Sequence, residues 1–134
     1  MKKKSPHNLP LEFPLKKVME TEIGMVYFYD NIVVVEAKEG IIMSYKTGFS
    51  ILLKGLSYMG NRPWVYISNR LHSYSIKPTD YKYLNKVPTL RAVGVVNYNE
   101  VGHANAELEA KFCKKPFQTF DNILDAVIWG GTYL

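Results

Sequence analysis

The sequence predicts one α/β domain: a mixed, mainly parallel sheet with helices packed on it. Three observations carry this. After residue 18, short runs of β-branched and aromatic residues alternate with segments of helical period, and that alternation demands crossover connections between parallel strands. The run Ala92–Val96 is apolar without interruption, as a strand covered on both faces requires. A length of 134 residues supports one ordinary domain and leaves no room for a second.

The elements follow in order. Met25–Tyr29 and Ile32–Ala37 are dense in Val, Ile, Tyr and Phe, and Asp30-Asn31 between them accepts positive φ, so an antiparallel hairpin is expected. Val33 and Val35 then share one face, with Val34 and Glu36 on the other. In the next segment Tyr45, Phe49, Leu52, Leu53 and Leu56 fall at helical spacing, with Lys46, Ser50, Lys54 and Ser57 opposite. Ser44 is the expected N-cap and Gly60 the expected stop. Trp64–Ser68 reads as a strand followed by a polar loop. Pro78-Thr79-Asp80 opens a short helix, with Thr79 as cap. After the strand at Ala92–Val96, a helix places Val101, Ala104, Leu108 and Phe112 on one side. A short strand, Pro116–Phe120, and a final helix capped by Asp121 and stopped by Gly130-Gly131 complete the order β-β-α-β-α-β-α-β-α.

The charge is unevenly placed. The chain has a net charge of +5, yet the first 17 residues hold five lysines and one glutamate, which leaves the remainder nearly neutral. Pro6, Pro10 and Pro14 exclude a regular helix there. Residues 1–17 are therefore expected to be a flexible basic arm and residues 18–134 the domain, so that a chain starting near Val18 keeps its fold and loses most of its basic character. The near-neutral body argues against nucleic acid as a partner. No apolar run of ~7–15 residues follows Lys2–Lys4, so a secretory leader is not expected. No stretch approaches the ~18 apolar residues of a membrane span. The single Cys113 excludes an internal disulfide. A cytoplasmic protein is the expectation.

The element order resembles the SpoIIAA-like fold of STAS domains, which includes the anti-sigma-factor antagonists and the SpoIIAA-like lipid-binding branch. The resemblance is carried by the hairpin "MVYFYDNIVVVEAKEG", the strands "PWVYIS" and "LRAVGVV", and the closing "PFQTFDNILDAVIW", over about Ile23 to Trp129. It implies a non-enzymatic domain. Antagonist members bind a kinase-like partner and are switched by phosphorylation of a Ser or Thr where the loop after the third strand meets the second helix. The matching junction here is "SIKPTD", with Thr79 nearest that role and Ser75 next, although the Asp-Ser-Ser/Gly-apolar stretch of antagonists is absent. In the lipid-binding branch, an apolar small molecule sits against helices such as Tyr45–Met59.

The most polar loop, Asn69, Arg70, His72, Ser73 and Tyr74, follows the carboxyl end of a central strand, where open α/β sheets bind ligands. It is the expected binding site. Arg70 is suited to fixing a carboxylate or phosphate with its planar fork, and His72 titrates near neutrality. No glycine-rich phosphate loop and no H-E-x-x-H pattern occurs, so no metal or cofactor is expected. His103 and Glu107 read as a solvated helical pair, and Cys113 as a partly buried thiol. Engagement of a protein partner ranks first as a function, an apolar ligand second, and a small hydrolase using His72 and Ser73 third. The hairpin edge also allows a homodimer by strand pairing.

Overall fold

The structure is a computed structural model and describes residues 6–43, 45–72 and 75–134. Its strands are β1 (Lys17–Thr21), β2 (Gly24–Tyr29), β3 (Ile32–Ala37), β4 (Ile42–Met43), β5 (Trp64–Arg70), β6 (Ser75–Ile76), β7 (Leu90–Asn97) and β8 (Phe117–Phe120). Its helices are α1 (Tyr45–Met59), α2 (Tyr81–Asn85), α3 (Glu100–Ala110) and α4 (Ile123–Gly131). Six strands form one sheet in the order β1-β2-β3-β5-β7-β8, with β1, β2 and β3 antiparallel and β3, β5, β7 and β8 parallel. The mixed α/β architecture is the expected one.

The pleat sorts the core into two halves. Val26, Phe28, Val33, Val35, Tyr66 and Val93 face α1 and α2. Tyr29, Ile32, Val34, Val65, Ile67 and Val96 face α4. The β2–β3 hairpin turns at Asp30, which takes φ +53°, and Tyr29 pairs with Ile32 across a two-residue loop. Gly60 ends α1 at φ +63°, its N–H donating to the Leu56 carbonyl at 2.8 Å, the left-handed stop expected there.

Several elements differ from the expectation. A strand, β1, precedes the hairpin and pairs antiparallel with β2, so β2 is no longer a sheet edge. The connection turns at Gly24, with φ +150°, where any Cβ would lie 2.0 Å from the Glu36 carbonyl oxygen. β1 begins at Lys17, within the segment expected as an arm, and Leu9, Phe13 and Leu15 of that segment pack against the α4-side core beside Tyr29, Ile32 and Val34. A second, two-stranded parallel sheet joins β4 to β6.

Caps and faces also differ. The cap of α4 is Asn122, whose side chain accepts from the Asp125 N–H, and not Asp121. Thr79 caps nothing: it lies inside a 3-10 turn, Pro78–Asp80, that has no side-chain cap. Ser44 lies outside the described residues. Gly130 does not stop α4 but lies within it, where a Cβ would come 2.9 Å from Val65, so its role is close helix–sheet approach. In α1, Leu53 is turned to solvent, while Ile51, Leu52, Leu56 and Met59 pack inward. Val101 and Leu108 of α3 and Phe112 just past its end are exposed, and the buried residues of α3 are Gly102, Ala106 and Glu109. Glu109 faces inward because it meets a buried arginine there.

Candidate functional site

Asn69 and Arg70 are not in a loop. They continue β5, and Ser68, Asn69 and Arg70 are all buried. Because adjacent strand residues point to opposite faces, Asn69 and Arg70 serve two separate clusters.

Arg70 points toward the helices. Its Nη1 donates to Glu109 Oε2 at 2.7 Å, its Nη2 to Glu109 Oε1 at 2.6 Å, and its Nε to Ser68 Oγ at 3.1 Å. Tyr81 completes the cluster, its hydroxyl donating to Glu109 Oε1 at 2.7 Å. The fork expected to hold an anionic ligand thus holds Glu109, and both side chains are only 1% exposed. This geometry ties β5, α2 and α3 together. Burial pushes the Tyr81 hydroxyl well above its ordinary value, with further upward push from the Glu109 charge.

A pH dependence follows. A phenol whose folded value is raised stays protonated in the folded state while the unfolded chain ionises, so its stabilising contribution is intact below pH ~10 and is lost as pH rises beyond that. Denaturant titrations across alkaline pH are expected to show stability falling with a slope approaching about 1.4 kcal/mol per pH unit from Tyr81. Tyr81→Phe should lower stability at neutral pH, since Glu109 loses a donor, yet flatten the alkaline slope. An unchanged slope in that variant would assign the alkaline loss elsewhere.

Asn69 points to the opposite face. Its Nδ2 donates to Glu36 Oε2 at 2.7 Å, and Tyr98 donates to its Oδ1 at 2.7 Å. His7 closes this cluster from the N-terminal segment: Nε2 meets Glu36 Oε2 and Nδ1 meets the Tyr29 hydroxyl, each at 2.5 Å. A carboxylate only accepts, so Nε2 carries the proton toward Glu36. His7 also stands edge-on to the Tyr27 ring, with centroids 4.8 Å apart. Burial and the Glu36 charge both push the Tyr27 and Tyr98 hydroxyls upward.

Of the other expected site residues, His72 and Thr79 are in neither cluster. His72 is exposed past the end of β5. Ser73 and Tyr74 lie outside the described residues, as does the side chain of Ser75. Thr79 is exposed on its turn. His103 Nε2 faces Asp121 Oδ1 at 3.1 Å and not Glu107. Burial raises the Cys113 thiol against the opposing pull of Lys115, and its Sγ contacts the Lys115 carbonyl at 3.6 Å.

What gathers instead is an apolar cavity of about 110 Å³ between α1 and the sheet. Val26, Val33 and Val35 form its floor, Ile51, Leu52 and Met59 its α1 wall, and Trp64 and Tyr66 its β5 side. Tyr83 and Asp80 line it near the start of α2. Gly48 and Gly55 of α1 also line it, and a Cβ on Gly55 would meet nothing within 4 Å, so missing side-chain volume on α1 helps keep the space open. The sequence signal for this was the pair of glycines, Gly48 and Gly55, in the helix that carries the apolar stripe Phe49, Leu52 and Leu56. Tyr81 and Tyr83, two apart, divide their roles: one reaches the ion pair, the other the cavity.

No helix among the described residues is long and apolar enough to cross a membrane. No family model matches the chain, and no curated protein matches its sequence. Among solved structures, the chain is similar to an uncharacterised protein of the DUF3478 family with a SpoIIAA-like fold from Shewanella loihica PV-4. The TM-score is 0.54 at 10% identity, over 85% of this chain and 90% of that one. The order of strands and helices, the parallel core of the sheet and this structural likeness agree, and the chain has the SpoIIAA-like fold.

Proposed function

We propose that the protein is a non-catalytic, cytoplasmic binding module whose working site is the cavity beneath α1, which takes a small apolar ligand or the end of an apolar chain. The supporting observation is the cavity itself: about 110 Å³ walled almost wholly by apolar side chains. Empty apolar space forfeits packing contacts, at a cost of roughly 24 cal/mol per Å³. A ligand that fills it regains them. Arg70 and Asn69, the strongest polar candidates for a ligand at the strand ends, are each committed to partners within the fold.

Filling the cavity from the protein side tests this. Gly55→Ala is expected to stabilise by about 1 kcal/mol, because it restores helix propensity where nothing obstructs a Cβ. Gly55→Leu is expected to occupy the cavity and exclude ligand. Gently purified protein examined by native mass spectrometry should carry a small-molecule adduct, and Gly55→Leu should not. An adduct retained by a folded Gly55→Leu variant would place the ligand elsewhere.

A second reading, engagement of a protein partner, draws on Leu71, 54% exposed beside exposed His72 where β5 ends. Leu71→Ser should then abolish capture of that partner without lowering Tm, and unchanged capture would remove the reading.

A further inference from the structure

We infer that the end of the sheet where the parallel strands begin is a basic pole that docks on an anionic lipid surface. This concerns the outside of the molecule and is independent of the cavity reading.

The body of the chain is nearly neutral in sum, but the fold separates its charges. Basic residues stand beside the starts of the parallel strands, across the sheet from β1 to β8. Lys16 and Lys17 adjoin the start of β3, since Lys17 pairs with Phe28 and the neighbouring Tyr29 pairs with Ile32. Arg62 precedes β5, Lys86 and Arg91 bracket the start of β7, and Lys114 and Lys115 precede β8. No acidic residue occurs from Tyr81 to Asn99 or from Ala110 to Phe120. Asp30, at the hairpin turn, brings an acid to this side, and it faces Lys16 at 3.9 Å.

The opposite end of the sheet is acidic. Glu20, Glu22, Glu39, Glu100, Asp121 and Asp125 are exposed there, at the β1–β2 turn and after the ends of β3, β7 and β8. Charges sorted in this way give the molecule a directional field that a neutral sum conceals.

Hydrogen bonds join the basic segments into one surface. The Trp64 N–H donates to the Thr89 carbonyl at 2.9 Å, which sets the Arg62 segment against that of Lys86 and Arg91. Lys115 Nζ donates to the Val87 carbonyl at 2.8 Å, and Asn85 Nδ2 to the Phe112 carbonyl at 2.9 Å.

Each half of the pole also exposes a ring among its bases. Phe112 is 42% exposed between Lys111 and Lys114. Tyr58 is 37% exposed, with the Lys17 ammonium 5.4 Å and the Arg62 guanidinium 5.7 Å from its ring centroid. Rings flanked by Lys and Arg suit the headgroup layer, where the ring meets acyl chain and the cations meet lipid phosphate. Nucleic acid fits less well, because cations already stand over the Tyr58 ring that a stacked base would need.

Sedimentation of the full-length protein with vesicles tests this, using phosphatidylcholine alone and phosphatidylcholine mixed with phosphatidylserine. Binding is expected on the mixed vesicles alone, weakening as salt is raised. Arg91→Gln/Lys114→Gln, at two exposed positions, should keep its Tm and bind about 25-fold more weakly, at about fivefold per charge. Lys38→Gln/Lys77→Gln removes the same charge after β3 and β6, away from the pole, and should change affinity by less than about twofold. Phe112→Ser should weaken binding about fivefold with its salt dependence unchanged. Deleting residues 1–5, which include Lys2–Lys4, should leave most of the binding in place. Equal losses from the two charge pairs would reveal a net-charge effect and overturn the inference. So would an absence of binding to the mixed vesicles, or binding that is lost with residues 1–5 and kept by Arg91→Gln/Lys114→Gln. If a duplex oligonucleotide binds more tightly than the mixed vesicles at the same salt, and Phe112→Ser leaves vesicle binding unchanged, the pole serves nucleic acid and the lipid assignment fails.

Discussion

Replacing Glu109 with alanine is expected to destabilise the protein by about 3–5 kcal/mol, enough to unfold a large share of molecules near physiological temperature. The cost does not come from losing attraction alone. Arg70 is 1% exposed, and with Glu109 gone its guanidinium is left without its counter-charge in a place where water cannot solvate it. The Tyr81 hydroxyl loses its acceptor at the same time. Arg70→Ala should cost a similar amount from the other side, by stranding the carboxylate. The double variant Arg70→Met/Glu109→Leu is expected to recover most of the loss, because apolar side chains of similar volume need no pairing. Chemical denaturation of the wild-type protein, the two alanine variants and this double variant compares the losses. If the double variant loses as much as the two single variants together, the cost of each single is not that of a stranded charge, and the account of α3 given above fails.

Removing residues 1–16 is expected to lower stability by about 3–5 kcal/mol and not merely to reduce the positive charge. Leu9, Phe13 and Leu15 are each half-buried on the face made by Tyr29, Ile32 and Val34, and partial burial of such side chains contributes about 1 kcal/mol each. His7 adds its contacts with Glu36 and Tyr29, and without it Glu36 keeps only the Asn69 amide among these partners. A shorter deletion, of residues 1–5, retains His7 and the three apolar anchors and should cost much less. Thermal unfolding of the two truncations against the full chain separates the charge of the terminus from its packing. Equal Tm values for all three would show that residues 6–16 add nothing to the domain.

The element types were legible because they depend on local pattern. A hairpin needs two β-rich runs and a turn that tolerates positive φ, and Asp30-Asn31 supplied it. A helix end needs a left-handed residue, and Gly60 supplied that. The closing strand and helix, Phe117–Phe120 and Ile123–Gly131, follow from period alone. β1 escaped notice because Lys17–Thr21 carries two charges in five residues and adjoins a proline-broken stretch, so its strand character rests on pairing with β2.

The candidate sites were legible only in part, for a physical reason. Glu109 belongs to a helix whose apolar stripe suggested the opposite buried face. What turns it inward is Arg70, 39 residues away, since a buried charge must be paired whatever the local pattern favours. Glu36 is the one charged residue in the run Ile32–Ala37, and its partner His7 lies 29 residues earlier in a segment that reads as a loose arm. Asn69 and Arg70 look like neighbours in one polar loop, and the pleat sends them to opposite sides of the sheet. Local periodicity set which segments became strands and helices. Pairing of buried charges and filling of space between distant segments set which polar residues are structural, and left an apolar cavity beneath α1.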